Sequence, residues 1–157
     1  MSACTLQAPT DYQTWLRCLD TLQNKRVDAE YTDMLRHGSL SCDAAILAHF
    51  QNRLVTTVNA MLSRQAASFL RQYRMTAESG DTYALELLYR RFLRSAKQCL
   101  FFRSLSFLPE DFTQELSDGV AGELSRLTRQ LLRNLEQNHA LDLRDSIAAI
   151  HRSYTLF

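Results

Sequence analysis

Residues 81–100 read DTYALELLYRRFLRSAKQCL, and this stretch decides the fold. Leu85, Leu88, Tyr89, Phe92, Ala96, Cys99 and Leu100 recur three or four positions apart, the spacing of one face of an α-helix. Arg90, Arg94 and Lys97 fall on the opposite side. Ser79-Gly80-Asp81 ahead of the stripe ends one helix and caps the next.

The same period extends in both directions. Upstream, Ser41 with Asp43 behind it is expected to cap a long helix reaching to about Glu78. Its apolar face holds Ile46, Leu47, Phe50, Leu54, Val58, Met61, Leu62, Phe69 and Tyr73. That face drifts round the helix, which predicts curvature or a break near Ser63–Ala66. Nearer the start, Thr10 is expected to cap a helix carrying Tyr12, Trp15, Leu16, Leu19 and Leu22. Val27 to Arg36 form either its bent continuation or a second helix, stopped at His37-Gly38. Downstream, the helix from Asp81 is expected to close between Arg103 and Phe107. Pro109 suits the first turn of a short helix with Phe112 and Leu116, and Gly119 and Gly122 loosen the chain. Val120, Leu124, Leu127, Leu131 and Leu135 make another stripe, ended by Asn138. Asp142 caps a last helix with Leu143, Ile147, Ile150 and Tyr154 inward.

No segment alternates apolar and polar residues as a half-buried strand does, and only 4 Gly and 2 Pro serve 157 residues, too few for the turns of a sheet protein. The expectation is an all-α fold: a single-domain antiparallel helical bundle of five to seven helices over residues 1–157, with residues 1–9 a flexible N-terminal segment. Apolar residues at 46% and charged residues at 22% suit a packed domain and exclude a disordered chain. Met1 to Pro9 lack the basic and apolar regions of a signal peptide, and no apolar run has the length of a membrane span. The four cysteines, Cys4, Cys18, Cys42 and Cys99, form no C-x-x-C and read as reduced thiols, so the expected location is the cytoplasm.

Catalytic patterns fit poorly. A carboxylate-bridged di-metal site needs two Glu-x-x-His pairs, and only Glu136 and His139 have that spacing. The cysteines and histidines lack zinc-ligand spacing, and there is no phosphate-binding glycine loop or nucleophile elbow. Cys42, at the expected start of a helix, is the thiol best placed for activation. A helix-turn-helix centred on Ser117–Val120 fails because Glu115 falls where the first helix needs a small packed residue. The chain is expected to be neither an enzyme nor dependent on a cofactor or metal.

Charge is placed unevenly. Net charge is +1, but residues 1–43 carry −2, residues 44–109 carry +6 and residues 110–157 carry −3. At about 100° per residue, Arg53, Arg64 and Arg71 lie within roughly 20° of one another, with Arg74 nearby. On the following helix Phe101 and Leu105 extend the outer face of Arg90, Arg94 and Lys97. An aromatic anchor among arginines has the composition of a binding hot spot. These nine residues are the expected partner-binding site. In the competing arrangement Phe107-Leu108-Pro109 folds back over Phe101 and Leu105, and the arginines pair with the acidic ends of the chain.

The function expected from this pattern is a non-catalytic helical protein–protein interaction module: an adaptor, regulator, chaperone or inhibitor. Its partner is another protein or a second copy in a homodimer. The alternative is a nucleic-acid-binding protein using the arginine-rich face of residues 44–109, against which the near-neutral net charge weighs. A third reading places a ligand pocket in the bundle, lined by Tyr73, Tyr89, His49 and Cys99.

Overall fold

The structure, a computed structural model, describes residues 7–154. Six α-helices and one short 3-10 helix make up its regular elements, with no strand among the described residues. The helices are α1 (Tyr12–Asn24), α2 (Ala29–Leu35), α3 (Ala44–Ser79), α4 (Thr82–Gln98), α5 (Glu110–Gln137) and α6 (Leu141–Ser153), and the 3-10 helix is Phe101–Ser104. The all-α helical bundle expected from the sequence is therefore present. No described helix is long and apolar enough to cross a membrane.

The described chain forms two compact units. Unit 1 runs to Leu62 and includes Gln98–Leu116; unit 2 contains Ser63–Lys97 and the chain from Ser117 onward. Both α3 and α5 contribute turns to each. The expected irregularity at Ser63–Ala66 is not a break: α3 is continuous, and the drift of its apolar face coincides with the change of core.

Local chemistry sets the helix ends. Asp11, rather than Thr10, caps α1 by accepting from the Thr14 N–H at 2.9 Å, and this bond holds its carboxyl below the usual range. Asp28 caps α2 in the same way, which makes α1 and α2 separate helices. Asp43 rather than Ser41 accepts from the Ile46 N–H, so Cys42 precedes the cap instead of lying in the first turn. Gly80 has φ +73 between α3 and α4, the left-handed conformation that glycine adopts without strain. Residues 1–6 of the expected N-terminal segment lie outside the described residues, as does Cys4. Pro9 is buried, and its carbonyl accepts from the Ser39 N–H.

Unit 1 is organised round Trp15, which is fully buried. Its ring meets Phe50 and Phe107 edge-on at centroid distances of 5.3 and 5.8 Å, and its Nε1–H donates to the Ser39 carbonyl at 2.9 Å. That bond satisfies the indole's one polar group. Gly38 supplies the room: a Cβ there would stand 2.3 Å from Trp15 Cζ2. In unit 2, Phe69 of α3 stacks on Phe92 of α4 at 4.7 Å, with the buried Leu85, Leu93, Leu124, Ile147 and Ile150 in the same unit.

The glycines that were expected to interrupt the fifth helix do not. α5 runs unbroken through Gly119 and Gly122, both exposed, and a Cβ added at either would meet nothing within 4 Å. Replacing both by Ala is therefore expected to stabilise the protein by about 0.5–1 kcal/mol per site in urea unfolding. Gly38→Ala is expected to do the opposite, costing about 1–3 kcal/mol, because the ring it would strike is pinned on three sides.

Candidate functional site

α4 reaches solvent along one stripe. Tyr83, Leu87, Arg90, Arg94 and Lys97 follow the spacing i, i+4, i+7, i+11 and i+14, so they share a face. Tyr83 is 68% exposed and Leu87 38%, and the three cations are exposed, as is Arg91 beside them. None of these four cations pairs with a carboxylate among the described residues. The five large apolar side chains most exposed in the described chain, Leu70, Met75, Tyr83, Leu87 and Leu141, all belong to unit 2.

Two of the expected site residues are corrected. Phe101 and Leu105 are not on the outer face of α4; they are 0% and 2% exposed. α4 ends at Gln98, the chain turns at Cys99-Leu100, and the 3-10 helix then advances about 120° per residue rather than 100°. The Phe101 and Phe102 rings meet edge-on inside unit 1, and Leu108 is also buried, while Phe107 packs against Trp15 and Phe50. Apolar contact on the α4 stripe comes instead from Tyr83 and Leu87 at its other end. Their helical spacing from Arg90 was the available signal.

Arg53 is also corrected. It forms an ion pair with Asp20 of α1 inside unit 1 and is not a free cation. Arg64, Arg71 and Arg74 lie in unit 2. Arg71 and Arg74 are exposed and unpaired among the described residues, while Arg64 is half-buried and engaged.

The rotational setting of α4 comes from its buried side. Tyr89 is 1% exposed; its hydroxyl lies 2.8 Å from Thr128 Oγ1 of α5 and 3.1 Å from His151 Nδ1 of α6. Burial pushes the Tyr89 phenol up to about 12 and the His151 imidazole below 6.5. With neutral His151, Nδ1 accepts from the phenol and the phenol accepts from Thr128, which uses every partner once. Of the residues expected to line a pocket, Tyr73 and Tyr89 belong to unit 2, and His49 and Cys99 to unit 1.

Unit 1 carries a cleft of about 500 Å³. Tyr12, Leu16 and Asp20 of α1 form one wall, at spacing i, i+4, i+8. His49, Asn52, Arg53 and Thr56 of α3 form the other, at i, i+3, i+4, i+7. Arg53 Nε is buried with no hydrogen-bond partner. Elsewhere, Cys18 is buried beside Tyr31, and burial raises the pKa of both, Tyr31 to about 12; such a thiol is held in its unreactive form. Among the described residues no group of three or more His, Cys, Asp or Glu is placed to hold a metal ion. Glu136 and His139 do not share a helix, since α5 ends at Gln137 and His139 has φ +57.

No protein-family model, curated protein or solved structure matches the chain.

The lowered His151 value sets a pH dependence. The unfolded imidazole binds a proton more readily than the folded one, so stability is full above about 6.5 and declines as pH falls through the window below it. Urea midpoints measured from pH 7.5 to 5 should fall, and His151→Gln should flatten the part of the profile that begins at 6.5. Tyr89→Phe should cost about 1–3 kcal/mol at pH 7.5, since it removes the hydrogen bonds to both Thr128 and His151 and leaves those groups short of a partner.

Proposed function

We propose that this chain is a non-catalytic interaction module that engages an acidic amphipathic helix of a partner protein along the solvent face of α4. One observation carries the reading: Tyr83 and Leu87 stand in register with Arg90, Arg94 and Lys97, and the cations have no internal counter-charge among the described residues. An exposed ring and an isobutyl group give a partner apolar area to cover. Three cations at helical spacing then fix its charge and register.

A facing helix with Leu or Phe followed by Glu at positions i+3, i+4 and i+7 meets both requirements. Each covered side chain of this size contributes about 1.5–3 kcal/mol, and the flanking ion pairs add specificity and association rate more than affinity. The same cations would attract phosphates, which supports the nucleic-acid alternative. With net charge +1 the long-range field is weak, so only local contacts would hold a polyanion.

The test is titration of the labelled protein with an acidic amphipathic helical peptide, a peptide of the same composition in scrambled order, and a single-stranded oligonucleotide. The patterned peptide should shift α4 resonances selectively. Arg90→Glu with Arg94→Glu should weaken it by about tenfold or more, and Leu87→Ser by several-fold, with the helical circular dichroism unchanged. Equal binding of the scrambled peptide, or indifference to these substitutions, would overturn the reading. Tighter binding of the oligonucleotide, falling steeply with salt, would favour the alternative. Sedimentation of the free protein reports whether a second copy occupies the face.

A further inference from the structure

We propose that the cleft between α1 and the N-terminal half of α3 binds a small organic carboxylate through Arg53, with Asp20 holding that place in the free protein. This site is in unit 1 and does not depend on the reading of α4.

Its volume, about 500 Å³, lies in the range of small-molecule sites. Helix pairs normally close their groove with interdigitating apolar side chains. Here α3 instead presents His49, Asn52 and Arg53 across from Tyr12. The His49 and Asn52 side chains are exposed and make no hydrogen bond among the described residues.

Arg53 is the centre of the argument. A guanidinium presents its N–H groups in parallel pairs, and a carboxylate satisfies two at once. Asp20 engages only Nη2, and Nε is left buried without an acceptor. Asp20 is tied to the backbone of α1 and takes half of the fork. A carboxylate free to orient in the cleft can take both N–H groups once the guanidinium turns from Asp20, with Asn52 and His49 as further donors and the Tyr12 ring as an apolar wall. One cation beside one carboxylate suits a monoanion. A phosphate dianion would meet stronger repulsion from Asp20.

Phenylacetate is the probe, followed by ¹⁵N–¹H spectra at near-physiological salt. Phenylacetamide serves as its neutral counterpart and phenyl phosphate as the dianion. Saturable shifts are expected in residues 12–20 and 49–56 with phenylacetate and not with phenylacetamide. Asp20→Asn removes the internal competitor and should tighten binding by about threefold, the scale of one exposed ion pair. Arg53→Lys keeps the charge without the fork and should weaken binding by about tenfold. Asn52→Ala leaves the ion pair intact and should weaken it several-fold, so the result does not hang on a variant that disturbs folding. Absence of saturable shifts, equal response to phenylacetamide, or weaker binding in Asp20→Asn would overturn the proposal. Tighter binding of phenyl phosphate would overturn the assignment to carboxylates.

Discussion

Tyr89 is 1% exposed and brings its hydroxyl into the interior of unit 2. Burying such a group without a partner costs more than the hydrogen bond itself contributes. Thr128 and His151 answer that cost from α5 and α6, so three helices share one polar contact. Apolar packing is tolerant of small rotations, whereas a hydrogen bond of 2.8 Å is not. With Tyr89 and Phe92 fixed inward, helical geometry leaves no freedom for the other side of α4: Arg90, Arg94 and Lys97 must face out, together with Tyr83 and Leu87. The exposed stripe of α4 thus follows from a constraint on the buried face.

Unit 1 meets its polar requirements differently. Its one tryptophan finds a backbone carbonyl, Ser39, in the loop after α2, and the glycine before that serine admits the ring. The surface charge at its cleft pairs internally, Arg53 with Asp20. Unit 2 leaves six cations of α3 and α4 unpaired among the described residues and exposes all five of the large apolar side chains noted above. The two sites differ accordingly: the cation at the unit 1 cleft is paired with Asp20, while the cations along α4 are open beside exposed apolar groups.

Much of this was legible in the order of residues. The α4 stripe was readable because Leu85, Tyr89, Phe92 and Ala96 repeat without interruption, and all four are buried. The drifting face of α3 predicted curvature or a break near Ser63–Ala66; the helix is continuous there, and the drift coincides with the boundary between the two units. Three things were not legible, each for a physical reason. Phe101 and Leu105 were placed by continuing an α-helical period past Gln98, but a turn and a 3-10 segment reset the phase. Gly119 and Gly122 suggested a break, yet glycine costs a helix only about 1 kcal/mol, and the flanking Leu116, Val120 and Leu124 are all buried. The pairing of Arg53 joins residues 33 positions apart, and nothing local in either helix marks it.

The distribution of charge also bears on which class of partner suits α4. A nucleic acid presents charge at a regular spacing and gains most from cations spread over a broad field, with little use for aliphatic contact. The α4 stripe is narrow, and two of its five positions are Tyr83 and Leu87. Leu87 offers no stacking surface to a base. Across from a protein helix the same stripe has a use at every step: leucine meets apolar side chains, tyrosine adds area with little loss of rotamer freedom, and arginine fixes carboxylates in a chosen register. The presence of leucine in line with the arginines is thus what separates the two readings, and it favours a partner that brings apolar side chains of its own.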